Sequence, residues 1–236
     1  TRVVNVDRDQ FGDRFFSGFE PSLHSCFADE ALSMKLIEKE LLNLEKCFLR
    51  TQYLVTGTNV LSSQISAETI FFLLEQAKKS EVKVVIDLNW REVFWDYSNF
   101  ASDTSKKGRI NLIKNFLNHA HVIKLAKEEA TLFFEIENPS LISQQMSKRP
   151  DVIITDGKNP VSWHINGFQG NTKIPKSQKI VDTTGAGDAF LAGLISQFIS
   201  FGYPKGELEI QDCVRFASAC GLLTCHGEGA IEPQPD

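Results

Sequence analysis

Apolar residues recur along the chain with two periods. Val3, Val4 and Val6 precede Asp9-Gln10-Phe11-Gly12, and Arg14-Phe15-Phe16 follows, which predicts a β-hairpin. Between Asp29 and Phe48, Leu32, Leu36, Ile37, Leu41, Leu44 and Phe48 fall at helical spacing and predict one helix. Tyr53–Gly57 reads as a short buried strand. Ser66 reads as an N-cap, with Ile70, Leu73, Leu74 and Ala77 marking a helix to Ser80. Val82–Leu88 is a continuous apolar strand, followed by an aromatic loop holding Trp90, Phe94, Trp95 and Tyr97. The pattern then predicts a helix over Arg109–Asn118, a strand over Val122–Leu125 and a helix over Glu128–Phe134. Leu141–Met146 reads as helix and Asp151–Thr155 as strand. Val161–Ile165, Thr172–Ile174 and Lys179–Val181 are strand-like. Gly185–Phe201 and Leu208–Cys225 are two longer helices.

From Tyr53 to Thr155, short apolar strands alternate with helices. Such alternation implies βαβ crossovers and an α/β fold: a doubly wound, mostly parallel sheet with helices on both faces. Ligands of such sheets sit beyond the carboxyl ends of the strands. Those ends carry Gly57, Asp87 and Asn89, Leu125–Glu129, and Thr155–Gly157. The N-terminal hairpin stands outside the alternation and reads as a flap beside the sheet.

Composition narrows the function classes. Lys and Arg number 25 against 30 Asp and Glu, a net charge of −5, so no nucleic-acid contact through a basic surface is expected. Anionic small ligands stay open, because backbone donors suffice for a phosphate. With 42% hydrophobic residues over 236 positions, the chain is long enough to bury a core. Its longest apolar run, Ala189–Tyr203, is broken by Ser196, Gln197 and Ser200, so no membrane span is expected. Thr1–Gln10 lacks the pattern of a signal peptide. The five cysteines show no CxxC spacing, which suits reduced thiols in cytoplasm or plastid stroma. Cys220, Cys225 and His226 read as core and loop residues, not as metal ligands.

One run stands apart: Val181-Asp182-Thr183-Thr184-Gly185-Ala186-Gly187-Asp188-Ala189-Phe190. Gly185, Ala186 and Gly187 let a ligand approach their amides closely, at the positive end of a long helix. That combination is an anion hole suited to phosphate. Asp188, in the first turn, is either a helix-capping acid or a general base for a hydroxyl attacking phosphorus.

Asp182–Ile195 resembles the C-terminal signature of the ribokinase-like (PfkB) family of sugar and nucleoside kinases. Asp87-Leu88-Asn89-Trp90-Arg91 is similar to the DPNxR segment of its fructokinase branch. Lys124–Ala130 falls where the family has N-x-x-E. Thr155-Asp156-Gly157 resembles its T-x-G nucleotide segment, and Gly229-Ala230-Ile231 its GA turn beside the nucleotide. The order and spacing are closest to plant-type fructokinases.

The resemblance implies ATP-dependent phosphorylation of a sugar hydroxyl. It makes Asp188 the catalytic base, with the backbone of Gly185, Ala186 and Gly187 as the anion hole. It places Thr155, Gly157 and Gly229 at ATP, and Asp87, Asn89 and Arg91 at the substrate. Glu129 would support Mg²⁺ through water, and Asp182 and Thr184 a monovalent cation such as K⁺. The small-molecule partner would be a sugar. Residues 1–20 would be lid strands able to support a homodimer, and residues 21–236 the kinase core.

Three departures bear on activity. The asparagine of N-x-x-E is Ala126, and Pro160 replaces a glycine that often follows T-x-G. No segment matches the family's glycine-rich sugar signature, which the resemblance places before Thr1 together with the first sheet strand. A kinase-fold interaction module with weakened catalysis is therefore the alternative. Lys124 could meet a phosphate, although a lysine at a strand end is more often solvated. The aromatic loop is expected to pack on itself and not on a ligand.

Overall fold

The computed structural model describes residues 4–8, 14–19, 32–95, 106–176 and 180–235. The expected turn Asp9–Gly12, and Val3, Cys26, Tyr97 and Lys179, lie outside the described residues. Strand β1 (Val4–Arg8) pairs antiparallel with β2 (Arg14–Phe19), Arg8 opposite Arg14, and the two form a separate sheet. This is the hairpin that the valine and phenylalanine pattern predicts.

The second sheet has six strands: β3 (Tyr53–Gly57), β4 (Lys83–Asp87), β5 (Val122–Ala126), β6 (Asp151–Asp156), β7 (Asn159–Ile165) and β8 (Phe168–Thr172). They lie in chain order, β3 to β6 parallel and β6 to β8 antiparallel. Connections among the parallel strands pass through α3 (Gln64–Lys79), α5 (Lys106–Leu117) and α6 with α7 (Lys127–Phe134, Pro139–Gln145). A short α4 (Glu92–Trp95) follows β4. The chain ends with α8 (Ala186–Phe201) and α9 (Glu207–Thr224). Among the described residues no helix is long and apolar enough to cross a membrane.

Side chains alternate across the parallel strands and divide the core in two. Val84, Ile86, Ile123, Leu125, Val152 and Ile154 face one layer, with Leu74, Phe116, Phe133 and Ile142 from α3, α5, α6 and α7. Val85, Val122 and Ile153 face the other, against Phe190, Leu194 and Phe198 of α8 and Ile210 and Val214 of α9. Helices therefore cover both faces, as the alternation implied.

Four expectations shift. The helix expected over Asp29–Phe48 is two within the described residues, α1 (Met34–Lys39) and α2 (Leu41–Phe48), separated at Glu40. Helix α1 buries none of its residues and α2 only Phe48, so packing does not hold them on one axis. Ser66 is not a cap: a 3-10 turn over Thr58–Ser62 leads into α3, and Ser63 takes the N-cap position. Strand β3 is half-buried and not a buried strand: it stands at one end of the six strands paired among the described residues, and Val55 is 47% exposed. The last strand spans Phe168–Thr172 and not Thr172–Ile174. Asn166 and Gly167 both have positive φ and close a two-residue turn that sets Ile165 opposite Phe168.

Candidate active site

The parity that divides the core also aims the site. Asp87 lies two residues beyond Val85, and Lys124 two beyond Val122, so both side chains leave the sheet toward α8. They are neighbours in the β4–β5 register. Lys124 Nζ donates to Asp87 Oδ2 at 2.9 Å, and both side chains are 9% exposed. The sequence expectation of a solvated Lys124 is thus overturned by the α8 layer that covers it. Burial pushes the Asp87 carboxyl up, Lys124 opposes this, and the charge of Asp188 adds to the rise. That coupling puts Asp188 in electrostatic reach of the pair. Asp87 Oδ1 is buried with no partner among the described residues.

The N-terminus of α8 is set by Gly185, whose φ of +80° suits glycine. A Cβ there would also lie 3.0 Å from the Ala230 carbonyl oxygen. The GA turn is therefore packed on the first residue of the anion hole. The Ala186 amide donates to Thr183 O at 3.2 Å, so of the three expected amides this one is already used. Those of Gly185, Gly187 and Asp188 find no acceptor among the described residues. Asp188 is exposed and projects from the first helical turn.

Asp182 is 1% exposed. Its Oδ1 accepts from the Thr184 amide (2.9 Å) and hydroxyl (2.7 Å), and its Oδ2 from the Gly229 amide (2.9 Å). One carboxylate thus clamps the anion-hole loop to the Gly229 turn. Glu129 has a comparable engagement. Its Oε1 accepts from the Trp90 amide at 2.6 Å and its Oε2 from the Ala126 amide at 2.7 Å. Burial raises its carboxyl pKa and the two amides oppose that rise. Because position 126 is alanine, only the glutamate half of a capping box forms at α6. Among the described residues no three acidic, histidine or cysteine side chains gather as a metal site.

The other expected residues lie around the same strand ends. Asn89, with φ of +41°, turns the chain out of β4, and Arg91 Nη1 donates to Trp90 O at 2.8 Å. The charge of Arg91 also helps to lower the Asp87 carboxyl. Thr155 stands at the end of β6, and Gly157, with φ of +51°, has open space where a Cβ would point. Pro160 is the second residue of β7, next to a register shift in the ladder, where its missing amide hydrogen is tolerated. Trp90 packs on Trp95 at 5.1 Å and Phe133 at 5.4 Å, as expected of a packed loop. Cys225 Sγ donates to Gly221 O at 3.2 Å at the end of α9.

For Lys124, which the sequence leaves between a phosphate contact and solvation, parity with Val122 is the signal for burial. Asn59 carries no sequence signal; its Oδ1 is buried without a partner among the described residues, in the turn after β3. The adjoining Thr58 hydroxyl donates to Leu88 O at 2.5 Å, tying that turn to the loop after Asp87.

A family model described as pfkB family carbohydrate kinase matches residues 24–236. The fructokinase of Salmonella typhimurium is 26% identical over 240 residues, covering 100% of this chain and 71% of that protein. The Arabidopsis thaliana protein named "Probable fructokinase-6, chloroplastic" is 27% identical over 241 residues, and the chain spans 58% of its length. Among solved structures, fructokinase with bound ATP from Xylella fastidiosa superposes with a TM-score of 0.78. It is 24% identical and covers 100% of this chain and 70% of that one. The fold is therefore that of the ribokinase-like kinases. These relatives carry the names of sugar kinases and lend no support to an interaction module.

Proposed function

We propose that this chain, which belongs to the pfkB family of carbohydrate kinases, transfers the terminal phosphoryl group of ATP to a hydroxyl of a fructose-like sugar. One observation carries the reading: the unpaired amides of Gly187 and Asp188 open beside the exposed Asp188 carboxylate. Asp188 takes the hydroxyl proton as the sugar oxygen forms its bond to phosphorus. The bond from phosphorus to the bridging oxygen breaks, and ADP leaves. Fixed amides at the α8 N-terminus stabilise the charge spread over the phosphoryl oxygens.

The buried, unpartnered oxygens of Asp87 and Asn59 suit sugar hydroxyls, which donate as well as accept. Asn89 and Arg91 complete that side. Thr155, Gly157 and Gly229 serve the nucleotide. Magnesium carried on the nucleotide supplies charge neutralisation, with Glu129 shaping the adjoining loop. A monovalent cation near Asp182 and Thr184, a lid role for residues 1–20 beside the core of residues 21–236, a homodimer through that lid and a place in cytoplasm or plastid stroma belong to the same proposal.

The test is ADP release by the purified chain with ATP–Mg²⁺ and fructose. General-base assistance is typically worth about 10²–10⁴-fold. Asp188→Asn should lower kcat by about that factor with an unchanged melting temperature, because the side chain is exposed. A wild-type rate in the variant removes Asp188 from the chemistry.

A further inference from the structure

We propose that the buried Lys124 ammonium contacts the transferring phosphoryl group at the start of α8, with Asp87 holding it in position. The proposal rests on the kinase reading above and names a residue that reading does not need.

Three observations converge on it. First, Lys124 and Asp87 form an ion pair inside the α8 layer, with side chains 9% exposed. A buried pair recovers little or no net stability over apolar residues of similar size, so stability alone does not account for it. Second, the pair is incompletely matched. An ammonium has three donors, and among the described residues Lys124 has one hydrogen-bond acceptor, Asp87 Oδ2. Third, its position is set against the anion hole. A Cβ built on Gly187 would lie 2.9 Å from Lys124 Nζ. Glycine at 187 therefore leaves room for the ammonium as well as for a ligand.

Spare donors on Lys124 and the unpaired amides of Gly187 and Asp188 make one donor-lined corner. Its natural occupant is a multiply charged group with several acceptor oxygens, which is a phosphoryl group. Its position along the triphosphate follows from Asp188. The base must reach the attacking hydroxyl, so the phosphoryl group beside residues 187 and 188 is the one in transfer. The charge of Asp188 raises the Asp87 carboxyl and that of Lys124 lowers it, so the ammonium offsets the acid beside it.

The experiment is calorimetric titration of the chain with ADP–Mg²⁺ and with the β,γ-imido analogue of ATP–Mg²⁺. Lys124→Met leaves a buried carboxylate unpaired and risks unfolding. The double variant Asp87→Asn with Lys124→Met removes both charges and keeps similar shapes. Gly187→Ala is an independent probe, because it keeps the amide and displaces the ammonium. A lost charge-assisted contact corresponds to about tenfold or more in affinity. The double variant and Gly187→Ala should each weaken the ATP analogue by at least about that factor and change ADP by less than about twofold. Unchanged binding of the analogue, or equal weakening of both nucleotides, overturns the proposal. If the unmodified chain binds neither nucleotide, the kinase reading itself fails, and the contact falls with it.

Discussion

At the scale of single residues, the structure changes what several of the expected site groups touch. The resemblance gives Glu129 a role at Mg²⁺ through water. Both its oxygens instead accept backbone amides, one from Ala126 at the head of α6 and one from Trp90 in the loop after β4. Hydrogen bonds to a charged acceptor are worth about 1.5–3 kcal/mol each. Glu129→Gln retains one acceptor oxygen and sets an NH₂ against an amide N–H. The expected outcome is a melting temperature lower by several degrees, read by calorimetry. An unchanged melting temperature with a raised Mg²⁺ requirement would restore the metal role. Hydrogen bonding at this range is invisible in sequence, because Trp90 and Glu129 lie 39 positions apart.

Elements were legible wherever the apolar period was strong. Strand β3 matches its expected span, and β4, β5, β6, α5, α6, α8 and α9 lie within a few residues of theirs. Errors fell where burial is weak or a turn sets the register, as at α1–α2 and β8. How closely elements approach was not legible. Helix α9 crosses the start of α8 so tightly that a Cβ on Gly221 would stand 2.8 Å from Ala186 O. Backbone there cannot yield as a flexible side chain can. Gly221→Ala should cost about 1–3 kcal/mol by overpacking. Because Ala186 begins α8, the displaced turn carries the Gly187 and Asp188 amides with it. Melting temperature and nucleotide affinity should therefore fall together in this variant. Loss of stability with full affinity would mean that the anion hole moves independently of the helix crossing.

Across the whole molecule, the candidate site at the carboxyl ends of the parallel strands has a counterpart at their amino ends. There, by β4 and β5, His119 and His121 line a groove of about 380 Å³ with Lys78, Lys83, Lys148 and Glu81. Burial, and then Lys148, pulls both imidazoles below their ordinary value of 6.5, with Lys78 adding to the fall at His119, Glu75 opposing it there, and Lys83 adding to it at His121. The Val84 amide donates to His121 Nδ1 at 3.0 Å, which protonation at Nδ1 would break. Unfolded histidine accepts a proton near pH 6.5, whereas the folded groove resists it, so this part of the stability is whole above that pH and is lost as pH falls below it. Melting temperature should drop from about pH 7.5 to about pH 5.5, and less steeply in His121→Asn, which keeps an acceptor and cannot protonate. Equal slopes in the two proteins would exclude His121 as a source. By itself the sequence determined the α/β class, the order of elements and the small-residue run before α8 proposed to bind phosphate, because periodicity and a small-residue loop before a helix are local properties. Only the tertiary structure decided that Lys124 is buried against Gly187, that Glu129 and Asp182 spend their oxygens on backbone amides, and that β3 is half-buried. Those outcomes depend on which faces meet across the sheet, and the approach of distant segments is not encoded in any one of them.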